Sequence, residues 1–184
     1  LAKRKVDRIA LSGVPVASVL GRTKMLEILA EATRRTELPC DTDLEAHIAT
    51  LQHLGATRIA LVTRWPEAVN AALTRYLAEA GIEVIACRSR ARSLQENKAS
   101  SAAADHELAL ELGNEVLRKT PEAQALLMPG GLWFAIHAVP LLEAQHGRPV
   151  LLNILSTTWA ALNAAGARML HRPDPRWGKV LASL

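Results

Sequence analysis

Met128-Pro129-Gly130-Gly131-Leu132-Trp133 follows the apolar run Ala125-Leu126-Leu127, and its reading decides the fold. An apolar run halted by paired glycines reads as a buried strand ending in a tight corner. Glycines there let backbone come close to a ligand. A helix starting just after them is expected to turn its free N–H groups toward an anion. Leu11-Ser12-Gly13-Val14-Pro15 makes a second corner of similar shape near the start of the chain. Two such corners facing each other have the means to hold a small carboxylate. Each corner also carries a proline, Pro15 and Pro129, where an enzyme would want a donor or a nucleophile. Proline has no N–H to offer.

Outward from these corners the pattern alternates strand and helix. Strands are expected at residues 6–11, 58–63, 83–87, 124–128 and 149–153. Met25, Leu26, Leu29 and Ala32 are at helical spacing within residues 22–36. Thr42-Asp43-Leu44-Glu45 reads as a capping box for a helix over 43–54, stopped by Gly55. Pro66 suits the first turn of a helix ending near Gly81. Further helices are expected over 102–119, from Pro140 to Gly147, and over 159–165 with Ser156 as cap. Residues 88–101 are polar and read as a loop at their start, and the tail from 168 is rich in Pro and Arg. Strands alternating with amphipathic helices predict an α/β fold, with parallel sheets covered by helices on both faces. Ligands bind such sheets beyond the carboxyl ends of the strands. The tips of interest are therefore residues 12–15, 63–66, 87–90, 128–131 and 153–156. The opening Leu1-Ala2-Lys3-Arg4 reads as the last turn of a helix, so an N-terminal segment bearing the first strand is expected to precede it.

Composition narrows the function classes. The chain has 184 residues, 49% of them hydrophobic, which excludes a disordered chain. No apolar run is long enough for a bilayer and no secretory signal is visible, so no membrane partner is expected. The net charge is +4, its basic clusters read as solvated surface, and aromatics make up only 3%. That combination lacks the basic-plus-stacking pattern of nucleic-acid binding. Cys40 and Cys87 form neither a metal spacing nor a disulfide framework, which points to a reduced, cytoplasmic protein.

Several segments, in order and at matching intervals, resemble the aspartate/glutamate racemase superfamily, and within it the arylmalonate decarboxylases; maleate isomerases are a more distant likeness. The segments are Thr36-Glu37-Leu38-Pro39-Cys40, the stretch Leu54-Gly55-Ala56-Thr57-Arg58-Ile59-Ala60-Leu61-Val62-Thr63, and Cys87-Arg88-Ser89. Gly130-Gly131-Leu132, Ala138-Val139-Pro140, Gly147-Arg148-Pro149-Val150 and Trp159 complete them. The resemblance implies two similar doubly wound α/β lobes with an interlobe cleft. The expected division is residues 1–42 with 155–184 in the first lobe, and 43–154 in the second. It also implies a small carboxylate as ligand, no cofactor and no metal; association into a homo-oligomer stays open.

Carried over by position, the family's proton-donor cysteine falls on Pro129, and its Gly-Thr-Ser corner falls on Gly13, Val14 and Pro15. A family tyrosine falls on Trp65, which keeps an N–H but loses the phenol. The substrate-binding set implied is Gly13, Val14, Pro15, Trp65, Pro129, Gly130 and Gly131. No thiolate can form at either corner.

Other residues have plainer readings. Arg64, at a strand tip, reads as solvated surface, with bidentate pairing to a carboxylate as the alternative; Trp133 reads as core or lobe-interface packing, and Asp41 and Asp43 as part of a cap. Asn153 lines the cleft in this reading. Among His47, His53, His106, His137, His146 and His171, only His137 follows closely on a corner, as a weak candidate base. Three functions stay open: cofactor-free decarboxylation or isomerisation without the thiol, carboxylate or partner binding without turnover, and a degraded racemase using His137.

Overall fold

The computed structural model describes residues 5–166 and 174–184. The expectation for residues 1–4, and His171, lie outside the described residues. The chain begins with β1 (Ile9–Leu11), α1 (Val14–Leu20), α2 (Arg22–Thr36), β2 (Cys40–Thr42) and α3 (Asp43–His53). It continues through β3 (Arg58–Thr63), α4 (Glu67–Glu79), β4 (Glu83–Ser89), α5 (Leu94–Ala99) and α6 (Ala102–Lys119). Then come β5 (Ala125–Met128), α7 (Ala138–His146), β6 (Val150–Leu152), α8 (Asn153–Ala164), a 3-10 turn (Pro175–Trp177) and α9 (Gly178–Ala182).

The α/β class read from the sequence holds. β1 and β2 pair in parallel as one sheet, and a second parallel sheet has the order β4-β3-β5-β6. β5 and β6 are buried along their whole length and β3 after its first residue, as strands covered on both faces must be. α3 packs against α8, α6 against α7, and α1 against α4, which joins the two sheets through helices. Among the described residues, no helix is long and apolar enough to cross a membrane.

Several local expectations change. Thr42 caps α3 by accepting from the Glu45 N–H at 3.0 Å, but the Glu45 carboxylate does not reach back. It accepts instead from Arg22 and from the Tyr76 hydroxyl at 2.9 Å, so the box is only half made. The expected loop from residue 88 is partly strand, and a true capping box of Ser93 and Glu96 starts α5 within it. α7 starts at Ala138 rather than Pro140; the proline sits within the first turn, where its missing N–H has no intrahelical partner to lose. Ser156 is no cap either, because α8 already begins at Asn153.

The helix start expected just after Gly131 is also absent. The chain turns at Gly130–Trp133 and stays irregular to His137. Asp105 causes this: its backbone carbonyl accepts from the Trp133 indole N–H at 3.0 Å, and its carboxylate accepts from the Phe134 N–H at 3.0 Å. Those bonds pin the segment against α6 and take an N–H that helical winding would need. It is the first corner that leads directly into a helix, with Gly13 preceding α1 at φ 157°.

Candidate functional site

The carboxyl ends of five strands converge. β1 ends at Ser12-Gly13, β2 at Asp43, β3 at Arg64-Trp65, β5 at Pro129-Gly130-Gly131 and β6 at Asn153. In the larger sheet β4 lies on one side of β3 and β5 on the other, so the chain reverses its direction of winding there. Such a switch point opens a crevice beyond the strand ends.

Two cavities fill this crevice and share Gly130 and Gly131. The smaller, about 190 Å³, is lined by Ser12, Gly13, Val14, Pro15, Asp43, Arg64, Trp65 and Pro129, among others. The larger, about 450 Å³, has mainly apolar walls: Trp133, Phe134, Ile136, Leu152 and Ile154, with His137 and Asn153 on its lining. The two corners meet closely. A Cβ on Gly131 would lie 3.5 Å from Asn153 Nδ2 and 3.9 Å from Ser12 Oγ. A Cβ on Gly130, whose φ is +118°, would lie 3.3 Å from the Trp65 ring. Every residue of the implied binding set therefore lines the crevice, and His137 lines its apolar side as an exposed residue at the start of α7.

Asp43 is the largest departure from the sequence reading. It is not a cap. Its Oδ2 accepts from the Ser12 hydroxyl and from the Gly13 N–H, both at 2.9 Å. Its Oδ1 is buried and makes no hydrogen bond among the described residues. Burial raises the carboxyl above its ordinary range, opposed by the bonds from Gly13 and Ser12 and by the Leu44 N–H and Asn153 amide. Asp41, its neighbour two residues earlier, is instead ion-paired with Arg8.

Arg64 is likewise not at the surface. It is 5% exposed, and its Nη1 donates to Asp105 Oδ1 at 2.9 Å. The guanidinium lies 4.9 Å over the Trp133 ring. Asp105 is fully buried and also accepts from Ser100 Oγ at 2.6 Å. One carboxylate thus ties the β3 tip to the loop after Gly131. Trp133 is buried, in line with its expected packing role.

His47 is fully buried behind Asn153, outside the cavity lining. Its Nδ1 lies 2.9 Å from Ser156 Oγ and its Nε2 lies 3.2 Å from Asn153 Oδ1. Burial pushes its pKa down to about 4, so the ring is neutral at pH 7. Asn153 Oδ1 accepts, so Nε2 carries the proton and Nδ1 accepts from Ser156. This orientation turns the Asn153 amide nitrogen toward Gly131 and Asp43.

Sequence reading missed Asp43, His47 and the Arg64–Asp105 pair. A signal existed for the first two: they are four residues apart, hence on one face of α3, together with the apolar Leu44, Ile48 and Leu51. For Arg64 and Asp105, 41 positions apart, no local pattern exists. Among the described residues, no group of three or more His, Cys, Asp or Glu is placed to hold a metal.

These features define a two-sheet parallel α/β protein with a cavity-filled crevice where its strand tips converge. The sequence profile of the arylmalonate decarboxylases matches residues 1–175, and the chain belongs to that family. The arylmalonate decarboxylase of Bordetella bronchiseptica is 27% identical over 173 residues, covering 94% of this chain and 71% of that protein. The structure of an unliganded arylmalonate decarboxylase superposes with a TM-score of 0.85 at 25% identity, covering 99% of this chain and 75% of that one. A maleate isomerase from Pseudomonas putida S16, solved with maleate, gives a TM-score of 0.85 at 24% identity over 99% of this chain and 72% of that one, a likeness of fold.

Proposed function

We propose that the crevice binds a small carboxylate with an apolar substituent and decarboxylates it without cofactor and without the family's thiol. The observation that carries this reading is the meeting of the two corners at a shared pair of cavities, the smaller with Ser12, Asp43 and Arg64 in its lining and the larger mainly apolar. An aryl or alkyl group fits the Trp133–Phe134–Ile136 wall. A carboxylate held beside that wall is stripped of water, which favours its loss as neutral carbon dioxide. The carboxylate that stays takes the N–H groups of the Gly130-Gly131 corner, and its position falls near the buried Arg64. The lobe division at residues 1–42 with 155–184 and 43–154 places this crevice between lobes. Free Cys40 and Cys87 suit a reducing, cytoplasmic setting. Incubation with aryl- and alkylmalonates tests the reaction: carbon dioxide release supports it, and no release with any of them rejects decarboxylation.

One observation favours the second reading, binding without turnover. Asp43 already takes the Ser12 and Gly13 donors, leaving the first corner less able to hold a second carboxylate. Pro129→Cys separates the two, because it returns a thiol to the second corner. Turnover gained in that variant from an inactive parent identifies a binding protein with an intact pocket. For His137, which is on the larger cavity, unchanged activity in His137→Ala ends its candidacy as a base.

A further inference from the structure

The two corners lack a thiol, yet one protic side chain stands between them. Ser12 is exposed, lines the smaller cavity, and has its Oγ 3.9 Å from where a Cβ on Gly131 would stand. Behind it lies Asp43, only 2% exposed, whose Oδ2 is 2.9 Å from that Oγ. We propose that Ser12 is the proton donor of this crevice and Asp43 the positioning residue that reloads it. The proposal rests on the carboxylate reading above and names the group that replaces the missing sulfur.

The step balances with water as the sole co-reactant. The bond from the α-carbon to one carboxylate breaks, carbon dioxide leaves, and the electron pair stays on the α-carbon. That pair takes the Ser12 Oγ proton to form the new C–H bond. When Asp43 is protonated the 2.9 Å contact reverses, Oδ2 donating to Ser12 Oγ and freeing the hydroxyl proton for the α-carbon, so Oγ takes the Asp43 proton as it gives up its own and no free alkoxide forms. Asp43, left ionised, regains a proton from water before the next turnover. The remaining carboxylate holds the product's charge throughout.

Burial is the largest influence on Asp43 and pushes its carboxyl toward the neutral acid, against the lowering effect of the bonds from Gly13 and Ser12. The groups facing it bring little free positive charge. Arg64, across the smaller cavity, is paired with Asp105. Asp41, on β2, is paired with Arg8. His47, one turn along α3, is neutral, and Asn153, from α8, is uncharged.

The test compares the full chain with Ser12→Ala, Ser12→Thr and Asp43→Asn. Carbon dioxide release from phenylmalonate gives kcat across pH, and calorimetry gives the affinity for phenylacetate. Ser12→Ala is expected to lower kcat by about 100-fold or more, with phenylacetate affinity changed by no more than about threefold. Ser12→Thr keeps the hydroxyl and is expected to stay within about tenfold of the parent. The parent's kcat falls as pH rises past the point where Asp43 ionises, whereas Asp43→Asn gives a low, pH-flat kcat. Ser12→Ala turning over like the parent overturns the donor and leaves the carboxylate reading standing. A parent that binds phenylacetate but releases no carbon dioxide overturns the donor and the decarboxylase reading together, while the binding reading survives. Should Asp43→Asn fail to fold, the two Ser12 variants and the parent's pH profile decide.

Discussion

Replacing Asp105 by Asn is the sharpest probe of what holds the crevice in shape. The pair is closed to water: Arg64 is 5% exposed and Asp105 is fully buried, with 2.9 Å between Nη1 and Oδ1. Asn keeps the outline but removes the charge, leaving a guanidinium buried without its counterion. Breaking a buried pair from one side costs about 3–5 kcal/mol, because the surviving charge has lost its compensation. The amide adds a second conflict. Its oxygen must face Arg64 and Ser100, which puts its NH₂ against the Phe134 N–H, donor to donor. For a chain of this size the combined loss lowers Tm by roughly 10 °C. Urea unfolding followed by tryptophan fluorescence measures it. The double variant Arg64→Met with Asp105→Leu removes both charges and is expected to recover part of the loss, the unpartnered Phe134 N–H keeping about 1–3 kcal/mol of it. A loss below about 1 kcal/mol in Asp105→Asn would refute the reasoning, since it would mean that water or another group already screens Arg64.

Three more outcomes follow from particular groups. His47 is neutral when folded, with a pKa of about 4 against an ordinary 6.5, so the unfolded chain binds its proton first as pH falls. The parent should therefore lose about 3 kcal/mol more than His47→Gln between pH 6.5 and pH 4, at about 1.4 kcal/mol per pH unit; parallel urea midpoints for the two over that range contradict this. Gly178→Ala combines a φ of +80° with a Cβ 2.6 Å from Val139 Cγ1, and about 3 kcal/mol of destabilisation is expected in urea. Gly55→Ala has a φ of +66° but open space around its Cβ, and should cost only about 1 kcal/mol; equal losses at the two sites would show that the Val139 contact is not tight.

Period and punctuation made most of the fold legible. β3 and α6 begin and end where the sequence reading put them, because Arg58–Thr63 is β-branched and short, and Ala102–Lys119 is bounded by Ser101 and Pro121. α2 was equally plain from Met25, Leu26 and Leu29, although Leu26 is 41% exposed. What stayed hidden depends on partners distant in sequence. The segment after Gly131 has the composition of a helix start, yet Asp105 takes the Trp133 indole N–H and the Phe134 backbone N–H and keeps it irregular. Ser156 sits at a plausible cap position, but its partner is a histidine 109 residues away.

The candidate site was half legible for the same reason. Glycine corners are written in local sequence, so Gly13, Gly130 and Gly131 were found. Of the side chains that enter the crevice from other elements, Trp65 and Asn153 were read from the sequence, whereas Asp43 and Arg64 were not. Asp43 looked like a capping residue because caps and cleft floors both favour a short acid after a strand. The capping role belongs to Thr42, which frees the Asp43 carboxylate to turn toward Ser12 and Gly13. Arg64 looked like surface because arginine seldom goes under without a partner, and its partner is on α6.

The central claim is that the Ser12–Gly13 and Gly130–Gly131 corners act as one carboxylate-holding crevice. A crystal structure of the chain grown with phenylmalonate addresses it directly. The expected result is density for a carboxylate at the Gly130-Gly131 corner beside Ser12 Oγ, with the phenyl group against Trp133 and Ile136. Density for the ligand on another surface, with the crevice holding solvent alone, would contradict it.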